Sequence, residues 1–265
     1  MSVQSLYTAA TGMEAMEHKL DVIANNIANI GTIGFKKDRA NFEDLFYRYQ
    51  AVPGSEQVEP STGVGIQTGV GTRVSSVQTN FRQGSMEETN RALDVAIEGE
   101  GFLQVVGPNG EQQYTRSGNL SINRDGTLVV GSANVGRRIE PQITLPQNVT
   151  SIQITSDGVL SVLQEGQTEF TPVQTLQLAR FPNPEGLLKL GDNLYGISDA
   201  SGQATINNPG QPGFGLLRQG YLEASNVEPV RELIDLIQAQ RNIELNSKIV
   251  QAGDETLSLI SGLRR

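Results

Sequence analysis

Apolar residues at the start of this chain advance in steps of 3, 4, 3, 4, 3, 4 and 3 through Leu6, Ala9, Met13, Met16, Leu20, Ile23, Ile27 and Ile30. Such stepping turns one narrow seam of an α-helix towards a partner helix. At the other end Leu236, Ile243, Val250 and Leu257 recur every seventh residue, flanked by Ile237, Ile249, Ile260 and Leu263. Two long helices are therefore predicted, over residues 2–30 and 228–263. Asn25, Asn26, Asn29 and Gly31 crowd the end of the first, where a left-handed residue is tolerated. Pro229 suits the first turn of the second, where its missing N–H costs nothing. The first helix alone would be roughly 40 Å long at about 1.5 Å per residue. A chain with seams at both extremities is built to have its ends packed together, or packed against other copies.

The period changes between the helices. Asn41 to Tyr49 places Phe42, Leu45, Phe46 and Tyr49 on one side and reads as a short helix or an extended turn. Gln50 to Gly65 carries Pro53-Gly54 and Pro60-Ser61-Thr62-Gly63 with little periodicity, the pattern of a linker or an extended arm. From Val70 the alternation is two-fold: Val70, Thr72 and Val74, then Ile97, Phe102, Leu103 and Val105. Asp125-Gly126 and Asp157-Gly158, each between β-branched residues, predict hairpins, because glycine accepts the positive φ such turns need. Gly186 to Gly220 is rich in turn residues around a strand near Leu194–Ile197. The expected fold is α+β: terminal helices packed together at one pole, with a mainly antiparallel β central domain. Residues 1–30 and 228–265 would form a helical axial core, and 71–204 a β-rich outer domain. Residues 31–70 and 205–227 would connect them, with an arm at 47–63.

Composition narrows the functions. A net charge of -9 argues against nucleic acid, which needs a basic surface. With no Trp and 5% aromatics, stacking platforms are scarce, and with no Cys, disulfides, thiolate metal sites and Cys nucleophiles all drop out. The start has no basic region followed by an apolar run, and no stretch approaches the roughly 18 apolar residues of a membrane span. Membrane insertion is not expected. Two readings remain for location: a cytoplasmic protein, or export by a route that cleaves no signal.

Candidate chemistry is thin. His18 is the only histidine and sits between Glu17 and Lys19, far in sequence from any nucleophile. Glu98-Gly99-Glu100-Gly101 and Asn123-Arg124-Asp125-Gly126 place carboxylates near glycines. The second lacks the alternating oxygens and closing Glu of a calcium loop, and both read as strand ends or turns. No helix follows Gly99 and Gly101 to make a dinucleotide fingerprint. No catalytic residue, cofactor or metal site is expected. Asn25, Asn26 and Asn29 are poor helix formers, and two readings stand. They either end the helix or hydrogen-bond across packed helices to fix register. Gln240, Arg241, Glu244, Asn246 and Lys248 interrupt the apolar surface of the second helix, as a solvated face or as contacts to neighbours.

At these residues the chain resembles a known family. Ala24-Asn-Asn-Ile-Ala-Asn-Ile-Gly-Thr-Ile-Gly-Phe-Lys36 is similar to the N-terminal signature of bacterial flagellar rod and hook proteins. Gly220-Tyr-Leu-Glu-Ala-Ser-Asn-Val-Glu228 and Ile237-Gln-Ala-Gln-Arg-Asn-Ile-Glu-Leu-Asn-Ser-Lys248 resemble its C-terminal signature. Leu93-Asp-Val-Ala-Ile-Glu-Gly-Glu-Gly-Phe102, Tyr114-Thr-Arg-Ser-Gly118, Phe181-Pro-Asn-Pro-Glu-Gly-Leu187 and Gly191-Asp-Asn-Leu-Tyr195 resemble segments between them. The length and the Tyr47–Gly63 segment are most like the distal rod type of subunit. Two departures stand out: Asn242-Ile243, where the family usually has a small residue and Tyr, and Ser117, where Asp or Ala is commoner.

The resemblance implies a non-enzymatic axial subunit exported through the flagellar type III apparatus without signal cleavage. Its helical homopolymer would be a hollow drive shaft, part of the periplasm-spanning basal-body rod, carrying motor torque to the hook. Implied neighbours are proximal rod subunits, the hook protein and the surrounding P- and L-ring proteins. Expected subunit contacts are Leu6, Met13, Met16, Leu20, Ile23, Asn25, Asn26, Ile27 and Asn29 on the first helix. Leu236, Gln240, Arg241, Ile243, Glu244, Asn246, Val250 and Leu257 are expected on the second, and Phe35, Tyr47, Tyr49, Pro53, Pro60 and Asn226 between them. A proximal rod subunit is the alternative within the family. A surface β-adhesin with a helical stalk, or a hydrolase using Asp/Glu pairs, are the alternatives outside it.

Overall fold

The computed structural model describes residues 3–51 and 65–263, so Pro53, Pro60 and most of the 47–63 arm lie outside the described residues. The chain divides into two compact units. The first, Met1–Ala28, Asp38–Thr79 and Glu228–Arg265, holds both helices and a β-ribbon. The second, Asn29–Lys37 and Asn80–Val227, is a β unit.

In the helical unit α1 spans Val3–Ala28 and α2 spans Pro229–Leu263. Pro229 opens α2, and the Glu232 N–H donates to the Glu228 carbonyl at 3.0 Å, so the first helical bond forms around the proline. The segment Asn41–Tyr49 is not helical. It contributes to β1 (Asp38–Asp44) and β2 (Tyr47–Ala51), which pair antiparallel with β4 (Thr72–Thr79) and β3 (Ile66–Gly69) respectively. Leu45 N–H to Gly71 O at 2.9 Å and Val70 N–H to Phe46 O at 3.2 Å join the two pairs into one long ribbon. The 3-4 spacing of Phe42, Leu45, Phe46 and Tyr49 imitates a helix face. Pairing with the β-branched run Thr72–Thr79 overrides it, because strand preference is decided by the partner. Residues 38–51 and 65–79 thus belong with the helices, not with a separate connector.

The β unit begins with β5 (Met86–Glu88), β6 (Val95–Glu98), β7 (Phe102–Val106), β8 (Gln112–Thr115), β9 (Leu120–Ile122) and β10 (Leu128–Val130). It continues with β11 (Arg137–Ile139), β12 (Val149–Ile154), β13 (Val159–Gln164), β14 (Thr171–Thr175) and β15 (Leu178–Arg180). The last strands are β16 (Leu188–Gly191), β17 (Leu194–Gly196), β18 (Thr205–Asn207), β19 (Leu216–Gln219) and β20 (Tyr221–Glu223). The largest sheet runs β16-β17-β8-β7-β11-β10-β9, with β15 bridging β7 and β18; β12-β13-β14, β19-β6 and β20-β5 complete the unit. Both Asp-Gly turns close hairpins by the same bonding. Asn123 N–H meets Thr127 O at 2.9 Å and Thr155 N–H meets Val159 O at 3.0 Å, with Gly126 and Gly158 at φ 74 and 84.

Alternating residues of these strands make an aliphatic core that includes Ile97, Leu103, Val105, Leu120, Leu160 and Leu178. The scarce aromatics gather in a second cluster. Phe102, Tyr114, Phe181 and Tyr195 pack edge to face with one another and with Phe81, at ring separations from 4.8 to 5.9 Å.

Candidate functional site

The helices α1 and α2 pack antiparallel along one seam. Gly253 lies against Leu6, and a Cβ at Gly12 would stand 2.9 Å from Asn246 Nδ2. Asn242 reaches the Met16 sulfur at 3.8 Å, and Asn26 Nδ2 donates to a Glu232 carboxylate oxygen at 3.3 Å. Among the apolar positions expected on α1, Ile23 is buried, while Leu6, Met13, Met16, Leu20 and Ile27 are half-buried. On α2, Leu236, Ile243 and Val250 are half-buried and Leu257 is exposed. The other half of the α2 seam is small or polar. Glu232, Ala239, Asn246 and Gly253 also recur every seventh residue, and Glu232, Ala239 and Gly253 are buried. A hydrophobic reading passes over these positions, although small residues are what let two helices approach closely. A heptad reading of small residues would have found them.

Asn26 is buried, and its amide clasps the backbone of Asp38 on both sides. Its Nδ2 donates to Asp38 O and its Oδ1 accepts from Asp38 N–H, both at 2.9 Å. One side chain thereby fixes where β1 starts relative to both helices. Asn25 is exposed and Asn29 half-buried, so the three asparagines occupy three different surroundings.

Opposite its seam, α2 carries a second apolar face. Val230, Leu233, Ile234, Ile237, Leu245 and Ile249 are all at least 42% exposed. Successive helical residues turn by about 100°, which sets Val230, Ile234 and Ile237 roughly half a turn from Ala239, with Leu233 and Leu245 about a third of a turn away and Ile249 nearer the seam. Gln240, Arg241 and Glu244 are exposed as well. The ribbon also presents aromatic surface, with Phe46 88%, Tyr47 49% and Tyr49 59% exposed.

In the β unit, three distant segments meet in a buried ion triad. Glu223 on β20 accepts from Lys36 Nζ at 2.6 Å with one oxygen and from Arg116 Nε at 2.6 Å with the other, and all three side chains are at most 5% exposed. The first oxygen also accepts from the Gly84 N–H at 2.9 Å, and Lys36 Nζ donates to Arg82 O at 2.8 Å. The rest of the Arg116 guanidinium donates to the carbonyls of Gly101 and Gly99 at 2.6 Å and of Ile97 at 3.2 Å. The Ile97–Gly101 stretch is therefore a carbonyl cradle for a guanidinium. Its glycines hold φ 108 and 144, which side-chain-bearing residues rarely adopt.

Burial pushes the Lys36 ammonium below its ordinary 10.5, against the pull of Glu223 and assisted by the repulsion of Arg116. Burial also pushes Glu223 up, but the charges of Arg116 and Lys36 outweigh it and leave the carboxyl below its ordinary 4.5. These directions agree physically: two cations share one anion, so the anion is well supplied and the weaker cation is not. Beside the triad, Asn226 Oδ1 accepts from Lys37 N–H at 2.8 Å, and its Nδ2 donates to Asn80 O at 2.8 Å and Arg82 O at 3.0 Å. Phe35 is buried, with Lys189 Nζ 5.3 Å from its ring centre. The unusual Ser117 donates to Asn119 Oδ1 at 2.7 Å.

The segments that carry the resemblance therefore supply this interior. Lys36, Arg116 and Glu223 come from three of them, and the aromatic cluster takes Phe102, Tyr114, Phe181 and Tyr195 from four. No helix among the described residues is long and apolar enough to cross a membrane.

Three family models match along the chain. "Flagella basal body rod protein" matches residues 6–36, "Flagellar hook protein FlgE/F/G D1 domain" residues 96–162, and "Flagellar basal body rod FlgEFG protein C-terminal" residues 218–263. Among curated relatives, the flagellar basal-body rod protein FlgG of Caulobacter vibrioides is 44% identical, covering 99% of this chain and 100% of its own. FlgG of Borreliella burgdorferi is 40% identical over 99% of each chain. The flagellar hook-basal body complex protein FlhP of Bacillus subtilis is 30% identical over 99% of this chain and 100% of its own. Matched end to end by relatives at these identities, the chain belongs to the FlgG family of flagellar basal-body rod proteins, structural subunits of the distal rod.

Proposed function

We propose that copies of this chain polymerise helically, without enzymatic activity, into the hollow shaft that carries motor torque across the periplasm to the hook. The observation that carries this is the two-faced α2. One face is occupied by α1 of the same chain, while the opposite face presents Val230, Leu233, Ile234 and Ile237 at 49–70% exposure. A helix apolar on two faces needs a second partner, and a repeated, non-closing contact between copies gives a filament. The expected contact residues on both helices would then serve at two levels. Leu236, Ile243 and Val250 hold α1, while Gln240, Arg241 and Glu244 flank the face offered to neighbours. Export through the type III apparatus and contact with proximal rod, hook and ring proteins belong to the same reading.

The test is Leu233→Lys with Ile237→Lys. Both sites are about half exposed, so the free subunit should keep its stability within about 0.5 kcal/mol, while assembly of the purified protein, followed by electron microscopy, should fail. Filaments of normal length from the double variant would refute the reading. The arm at 47–63 is assigned the locking of neighbouring subunits, supported by the exposed aromatics of β2. Its deletion should leave a bendable or shortened rod, and an unchanged straight rod would sink that assignment.

A further inference from the structure

The chain passes between its two units four times, after Ala28, Lys37, Thr79 and Val227. At three of these crossings the residue on the β-unit side, or its neighbour, belongs to one hydrogen-bonded knot. Asn226 bonds Lys37, Asn80 and Arg82, and Asn80 N–H donates to Lys37 O at 2.8 Å. Just inside the knot the same segments are tied again. Gly34 N–H donates to Glu223 O and Ala224 N–H to Ser85 O, each at 2.8 Å, and the Lys36–Glu223–Arg116 triad fixes both connectors to β8. The fourth crossing leads along Asn29–Lys37 to Lys36 and so ends at the same place.

We propose that this knot is the mechanical coupling of the subunit: force on the helical unit enters the β unit through Asn226 and the ion triad. The purpose rests on the shaft reading above, but the coupling itself rests only on these hydrogen bonds and ion pairs. A pull on any connector is shared by the other two, because each is bonded sideways to its neighbours. Without Asn226 the C-terminal connector keeps the pairing of β20 with β5, the Gly34–Glu223 and Ala224–Ser85 bonds and the triad, but loses its side-chain ties to Lys37, Asn80 and Arg82. Asn226 is the informative position. It is half-buried, makes bonds only to backbone, and lies outside both hydrophobic clusters of the β unit, so its loss weakens the tie without opening the core.

The experiment is single-molecule pulling of the full chain. The protein has no cysteine, so attachment cysteines can be introduced at chosen sites. One pair, at Val135 in the β unit and Val230 on α2, sends force through the connectors; a control pair, at Val135 and Leu188, keeps it inside the β unit. All three residues are more than half exposed. Asn226→Ala should speed the first opening event about 100-fold at fixed force in the first pair, since three hydrogen bonds at roughly fivefold each are lost. The control pair should be unchanged. Asn226→Ser, which keeps a hydroxyl in place of the amide, should fall between and covers failure of the alanine variant to fold. An equal change in both pairs, or no change in the first, overturns the proposal. That failure would leave the assembly reading standing, because the α2 face is tested separately by polymerisation.

Discussion

Replacing Glu223 by Gln tests the triad most directly. The substitution keeps the shape and removes the charge, leaving Lys36 and Arg116 facing a neutral amide with at most 5% exposure between them. Breaking one side of a buried pair costs about 3–5 kcal/mol, because the remaining charge is buried without compensation. Here two cations lose one anion, so the upper end of that range applies. Whole domains are stable by only about 5–15 kcal/mol. With a urea slope of about 2 kcal/mol/M, the midpoint should fall by about 2.5 M. Near-ultraviolet circular dichroism is the assay, because the packed cluster of Phe102, Tyr114, Phe181 and Tyr195 lies in the β unit, whereas Tyr7, Tyr47 and Tyr49 of the helical unit are exposed and contribute less. A midpoint within about 0.5 M of the parent would refute the reasoning, since it would mean the triad is solvated or relaxes freely.

Three further outcomes follow from the same contacts. Glu223 has a folded pKa below its ordinary 4.5, so its stabilisation is complete above 4.5 and is lost as pH falls through the folded value. Acid titration of the β unit should show this limb in the parent and not in Glu223→Gln. Exchanging the whole triad, as Lys36→Met, Arg116→Met and Glu223→Leu together, removes every buried charge but strands the Gly84 N–H and the carbonyls of Arg82, Ile97, Gly99 and Gly101, so it should destabilise, yet by less than the sum of the three single exchanges. A triple variant whose loss of midpoint in the same urea titration equals that sum would show that the three charges are not coupled. Asn26→Leu should weaken the helical unit by about 2–4 kcal/mol, as it strands the N–H and carbonyl of Asp38. Unchanged hydrogen-exchange protection at the Asp38 amide would contradict the clasp.

The terminal helices were legible because their signal is local. A 3-4 step repeated through Leu6 to Ile30 needs no knowledge of the rest of the chain, and α1 ends at Ala28. The two Asp-Gly hairpins were legible for the same reason, turn chemistry being set by adjacent residues. Phe42, Leu45, Phe46 and Tyr49 misled because their spacing is genuinely helical and the strand that decides the matter begins at Ile66. The small half of the α2 seam was missed because Ala239, Asn246 and Gly253 add nothing to a hydrophobic count. They contribute by what they leave out, and only the close approach of Leu6 and Gly12 reveals it.

The ion triad was hidden for a deeper reason. A charged residue in a sequence reads as surface, and nothing near Lys36 signals that its partner stands 187 positions away, or that Arg116 lies 107 positions from the same carboxylate. The family resemblance marked all three segments, yet the letters it marked could equally have served catalysis or contact with neighbours. Their geometry decides between these uses. Lys36 and Arg116 turn most of their donors onto Glu223 and onto backbone carbonyls in the interior of the β unit, which makes the triad a structural tie. Such an arrangement is selective about assembly rather than reactive: it is favourable only when all three segments have arrived, and each missing member leaves a buried charge. Within the β unit, a tie of that kind makes the fold depend at once on three segments that are far apart in the sequence.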